Sequence, residues 1–129
     1  MRSIALLLVA PALAVAQTPA ASPRFEISFA KAAHAEPITG RMYVAISRTN
    51  DANRPPIQQA GETGVPLYGV NIDQLAPGAV AVIDVKTFGH PVQSLRDIPA
   101  GEYWVQPFVN IYTKFARADG HTVWLHMDQ

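Results

Sequence analysis

Apolar and polar side chains alternate along most of the chain after residue 24, which is the pattern of strands with one solvated face. The alternation predicts strands over 24–30, 40–48, 66–72, 79–85, 102–117 and 121–127. A polar stretch with paired prolines over 49–65 predicts a long surface loop, and 87–101 is a connection with room for one helical turn. We therefore predict an all-β fold, an antiparallel β-sandwich of roughly immunoglobulin-like size with about six to seven strands.

The loop between the last two predicted strands decides which side chains of this hairpin face the core. A three-residue loop over 118–120 needs glycine at its third position to form a left-handed bulge, and Gly120 is there. This register pairs Phe115 with Val123, Thr113 with Leu125, and Ile111 with Met127. The residues of these pairs form one mostly apolar row on one face of the hairpin, and the row continues through Val109, Val105 and Tyr103. We predict that it belongs to the core, because a slip of one residue would reverse every side chain.

The opposite row of the hairpin is amphipathic, with four aromatic rings between amides, a lysine and a histidine. It forms the candidate binding face: Trp104, Phe108, Asn110, Tyr112, Lys114, Trp124 and His126. Three interpretations stay open. A second sheet or a loop covers the face, another domain or subunit docks on it, or its rings stack on sugars while its amides bind hydroxyls.

The N-terminal segment has the three parts of a secretory signal. Arg2 precedes an apolar run that ends near Leu13, and small residues follow at 14–16. The run is shorter than a membrane span needs, and Pro11 interrupts it. We predict a signal peptide over 1–16, a disordered leader over 17–24 and a single β-sandwich domain over 25–129. The mature protein would be secreted or periplasmic, with no attachment to the membrane after cleavage.

Composition narrows the classes of partner and chemistry. Ten basic and ten acidic residues balance, which argues against a nucleic-acid partner. The chain has no cysteine and therefore no disulfide and no thiol nucleophile. It has no Gly-x-Ser-x-Gly elbow and no phosphate-binding loop. His121 and His126 are an odd number of residues apart, so a strand directs them to opposite faces and one metal ion cannot bind both. We predict no catalytic residue, no metal site and no cofactor in this chain.

Four stretches together resemble a known family: "PITGRMYVAISR" (37–48), "LYGVNIDQLAPG" (67–78), "AVIDVKTFGHPVQSLRDIPAGEYWVQ" (81–106) and "NIYTKFARADGHTVWLHMDQ" (110–129), of which the last is the most specific. They are similar to the N-terminal region of large secreted bacterial proteins described as esterases or α/β-hydrolase-like proteins. In that family the chain continues further and any catalytic domain lies downstream. Since this sequence ends at Gln129, the resemblance transfers no catalytic residue and implies either a stand-alone copy of the module or a fragment.

These observations predict an exported accessory or docking module without catalysis of its own. The candidate binding face on the C-terminal hairpin would contact another domain or subunit. One alternative is a small periplasmic or secreted protein that binds a glycan or another ligand through the same face. A further alternative is a fragment of a secreted esterase that lacks its catalytic domain.

Overall fold

The structure, a computed structural model, describes residues 21–126, and these residues form an all-β fold. The strands are β1 (Arg24–Ile27), β2 (Ile38–Ser47), β3 (Leu67–Leu75), β4 (Ala81–Asp84), β5 (Gly89–His90), β6 (Trp104–Ala116) and β7 (Thr122–His126). Two short 3-10 helices interrupt the loops, η1 (Pro56–Gln59) and η2 (Leu95–Asp97). Within the described residues no helix is long and apolar enough to cross a bilayer.

The strands form two antiparallel sheets. One sheet has five strands in the order β5-β3-β2-β6-β7, and the other consists of β1 and β4 alone. Residues from both sheets share the same apolar clusters, so the two sheets are the layers of a sandwich. This confirms the predicted all-β, antiparallel sandwich class.

The observed elements differ from the predicted ones at their ends and by one additional strand, β5, which lies in the predicted connection. β1 begins at Arg24, where the predicted strand begins, but it stops at Ile27 rather than at residue 30. The predicted surface loop contains η1, and η2 is the helical turn predicted in the connection. The signal peptide over 1–16, the leader up to residue 20 and the pairing of Met127 lie outside the described residues.

The core is built on β2, the central strand of the larger sheet. At every second position of this strand, Met42, Val44 and Ile46 are buried, and each is at most 3% exposed. β-branched and other apolar side chains at every second position place one continuous row on one face. Tyr68 of β3 and Ile83 of β4, both fully buried, pack beside this row from the two layers.

A tyrosine fixes the entry into β6. The Tyr103 hydroxyl donates a hydrogen bond of 2.6 Å to the Pro99 carbonyl and accepts one of 2.8 Å from Nη2 of Arg48. The Arg48 guanidinium also lies 4.8 Å from the centre of the Tyr103 ring. A tyrosine that bonds back to the backbone at the start of a late strand is typical of immunoglobulin-like sandwiches.

The predicted hairpin register is confirmed. Phe115 pairs with Val123 and Thr113 pairs with Leu125. Gly120 has a φ of 84°, the left-handed conformation that the three-residue loop requires, and its N–H donates to the Arg117 carbonyl.

The prediction that this row is core is wrong for part of its length. Leu125 is 51% exposed, Ile111 is 44% exposed and Val105 is 42% exposed. Val109 and Tyr103 do pack against the two core clusters. The reason is the width of the second layer, whose two strands and flanking loops cover the β2 and β3 half of the large sheet and leave the inner face of the β6–β7 end uncovered.

The uncovered end gives a test of burial. We expect Ile83→Ala to lower the free energy of unfolding by about 2–5 kcal/mol, because it removes a fully buried side chain from the core. Leu125→Ala should cost less than about 1 kcal/mol, since half of its side chain is already in water. Urea unfolding of the two variants measures the difference. Equal losses would show that another element of the protein covers Leu125.

The buried hydroxyl of Tyr68 gives a second test. Among the described residues it has no hydrogen-bond partner, and burial, followed by the nearby Asp97 carboxylate, raises the pKa of Tyr68 to about 12. Because the pKa in the unfolded chain is near 10.0, the neutral phenol favours folding below that pH, and this contribution is lost as the pH rises towards 12.

We therefore expect Tyr68→Phe to leave the free energy of unfolding at neutral pH unchanged or to raise it by at most about 3 kcal/mol, because the substitution removes an unsatisfied polar group from the core. The variant should also lose less stability than the parent protein between pH 10 and 12. Urea unfolding at neutral and alkaline pH measures both effects. A destabilised Phe variant would show that the hydroxyl has a bonding partner.

Candidate functional site

The outer face of the large sheet, opposite the core, carries the predicted binding residues. The β6–β7 register sets Tyr112 opposite His126 and Lys114 opposite Trp124. These side chains share one face because residues opposite each other in an antiparallel pair point the same way. Trp124 is 41% exposed, Lys114 and His126 are exposed, and Phe108, Asn110 and Tyr112 are half-buried.

The central strand adds two residues to this face that the sequence analysis did not include. Tyr43 pairs with Phe108, and Arg41 pairs with Asn110. Their signal was present, since both occupy the outward positions of the alternating β2 pattern. What the pattern does not reveal is that β2 lies next to β6, so the two rows could not be joined from the sequence.

An aromatic stack lies at the end of the face nearest η1. The rings of Tyr43 and Phe108 are 4.7 Å apart and inclined by 6°. Tyr43 also lies against Gly69 on its other neighbouring strand, where a Cβ atom would come within 2.8 Å of the ring. Because the stacked faces of Tyr43 and Phe108 contact each other, those faces are not open to an incoming flat ligand.

Arg41 is held beside the stack by several contacts. Its Nη1 donates a 2.7 Å hydrogen bond to Oδ1 of Asn71, and its Nη2 donates a 3.0 Å hydrogen bond to the Gly69 carbonyl. The guanidinium lies 5.5 Å from the centre of the Tyr43 ring. These contacts fix the arginine, so it acts as a rigid polar border of the aromatic patch rather than as a mobile side chain.

The loop between β2 and β3 covers part of the outer face. The backbone N–H of Ile57 in η1 donates a 3.1 Å hydrogen bond to Oε1 of Gln106, and Ser47 of β2 donates a 2.8 Å bond to Gln59. Gln106 lies between Trp104 and Phe108 along β6. The structure therefore brings six of the predicted residues together, while Trp104 stands apart beyond η1.

Trp104 belongs to a separate cleft. It is 55% exposed and lines an open cavity of about 710 Å³ with Arg48, Glu102 and Tyr103. The Tyr103 hydroxyl bonds both the Arg48 guanidinium and the Pro99 carbonyl, and these bonds fix the Tyr103 and Arg48 side of the cleft.

The histidines have separate surroundings. His34 packs edge-on to Phe29, His90 bonds the Glu62 carbonyl through Nε2, and Nδ1 of His121 lies 3.3 Å from Asp119 at the hairpin turn. None of these three contacts joins a histidine to a serine or threonine hydroxyl. Within residues 21–126, no group of three His, Cys, Asp or Glu side chains is placed to hold a metal ion.

The outer face of the large sheet is the candidate functional site. It combines one exposed indole, a stacked aromatic pair and two cationic side chains on a sheet face that a short helix limits on one side. Comparisons with known proteins found no matching family model, no matching curated protein and no matching solved structure.

Proposed function

We propose that this chain is an exported, non-catalytic docking module whose β6–β7 hairpin is its contact element. One observation carries the proposal: the hairpin exposes apolar side chains on both of its faces. Trp124 is 41% exposed on the outer face, while Leu125 and Ile111 are 51% and 44% exposed on the inner face. Large apolar side chains grouped at the surface mark sites of protein association.

The two-sided exposure favours a protein partner over a glycan. A sugar would bind on the outer face alone and leave Leu125 and Ile111 in water. A second domain or subunit can cover both sides of an edge hairpin, because β7 is the last strand of its sheet and has no described neighbour beyond it. The stacking of Tyr43 on Phe108 also leaves fewer ring faces for sugars.

The sequence resemblance supports the same role. It implies a module that precedes a catalytic domain in secreted proteins of the esterase or α/β-hydrolase type, and a docking hairpin suits a module that holds another domain. The N-terminal segment with its signal pattern supports export. A glycan-binding protein is the second candidate, favoured by the exposed indole of Trp124 opposite Lys114.

Site-specific photo-crosslinking tests the docking proposal. A benzophenone side chain placed at Trp124 or at Leu125, in cells that produce the protein, should give a protein adduct of discrete mass from both positions. The matched control is Val82 on β4, which is 39% exposed and lies away from the hairpin. It should give no such adduct.

The pattern of adducts separates the candidates. Adducts from Trp124 but not from Leu125 would contradict a partner that covers both faces. If neither position gives a protein adduct, and if native gels that contain a soluble polysaccharide retard the parent protein but not Trp124→Ala, the glycan-binding alternative replaces docking. Equal adducts from Val82 would show that the hairpin has no special role.

The non-catalytic part of the proposal has its own assay. Purified protein should hydrolyse p-nitrophenyl acetate at the rate of a matched protein of similar histidine content, because none of the contacts described for His34, His90 and His121 activates a hydroxyl nucleophile. Saturable turnover that disappears on replacement of one serine or histidine would contradict it.

A further inference from the structure

An apolar cleft opens between the two layers on the side where the second layer ends. Its volume is about 470 Å³, within the range of small-molecule sites. Side chains from both layers and from η2 line it: Phe25, Ile46, Leu95, Ile98, Tyr103 and Val105. Val105, which faces the core side of β6, lines the cleft and is 42% exposed.

One cationic residue lines this cleft. Arg96 of η2 contributes to its lining, and the only hydrogen bond described for this residue is from its backbone N–H to Oγ of Ser94. Among residues 21–126, no carboxylate lies within ion-pair distance of its guanidinium. By contrast, Arg24 and Arg117 each pair with an acid a short distance away along the chain.

We propose that this cleft is a binding site for a carboxylate with an unbranched apolar chain. The chain would lie against Phe25, Leu95 and Val105, and the carboxylate would accept hydrogen bonds from Arg96. Apolar walls with one charged group favour an amphiphile over a sugar or a nucleotide, which would leave most of its polar groups without partners. A guanidinium matches a carboxylate because its paired N–H groups can donate to both oxygens.

The site is independent of the proposed docking function. Phe25, Leu95 and Arg96 lie outside the candidate binding face, and the cleft lies between the layers rather than on the outer face of the sheet. Occupation of the cleft would cover Val105 and so complete the part of the interior that β1 and β4 leave open.

The test titrates the ¹⁵N-labelled protein with octanoate below its micelle concentration and follows amide shifts. Saturable shifts should cluster at Phe25, Arg96 and Val105. Octanoate should bind more tightly than 1-octanol or octylammonium, which have the same chain without the negative charge. Hexanoate should bind more weakly, by about fourfold for each methylene lost.

Two variants with matched controls assign the contacts. Arg96→Gln should weaken octanoate binding about tenfold or more and leave octanol binding unchanged, because it removes only the charged donor. Arg117→Gln, at an exposed arginine of the hairpin turn, should have no effect. Val105→Phe should fill the cleft and weaken both ligands, whereas Val82→Phe, at a valine of similar exposure, should not.

Three results would overturn the proposal. One is the lack of saturable shifts at the cleft. Another is equal affinity for the anionic, neutral and cationic ligands, and the third is an octanoate affinity that Arg96→Gln does not change. The substituted side chains are exposed or half-exposed, so the variants should fold, and the dispersion of their amide spectra verifies this before each titration.

Discussion

The burial of one face of β2 is the constraint on which the rest of this structure depends. Met42, Val44 and Ile46 must be excluded from water, and the second layer that excludes them has two strands among residues 21–126. Two strands with their flanking loops cover β2 and β3 but not the far end of a five-stranded sheet. The closed core, the open inner face of the hairpin and the cleft beside Val105 are therefore three results of one mismatch in width between the layers.

The sequence predicted the hairpin well and its surroundings poorly. Gly120 determined the loop type, the loop type determined the register, and alternation then assigned each side chain to a face. Burial does not follow from the face alone. Leu125 points to the core side but is half exposed, because its burial depends on how far the opposite layer extends. No local pattern encodes that extent, since it depends on where β1 and β4 lie over the large sheet.

The candidate binding face shows the same division between local and non-local information. Six of its residues lie together as the alternation predicts, but the separation of Trp104 required knowledge of where η1 rests, through the bond between Ile57 and Gln106. Likewise, Tyr43 and Arg41 join the face only because β2 pairs with β6. Contacts between distant parts of the chain thus modified a surface that the strand pattern had outlined.

The pairing of β2 with β6 also bears on how the chain reaches this structure. β2 ends at Ser47 and β6 begins at Trp104, so the central ladder joins segments that are far apart in sequence. Hairpins such as β6–β7 close on the microsecond scale, whereas folds dominated by non-local pairing complete in roughly milliseconds to seconds. The hairpin can form while the edge of β6 that will receive β2 is still unpaired. During that interval chaperone binding would matter most, and the segment to be protected is β6.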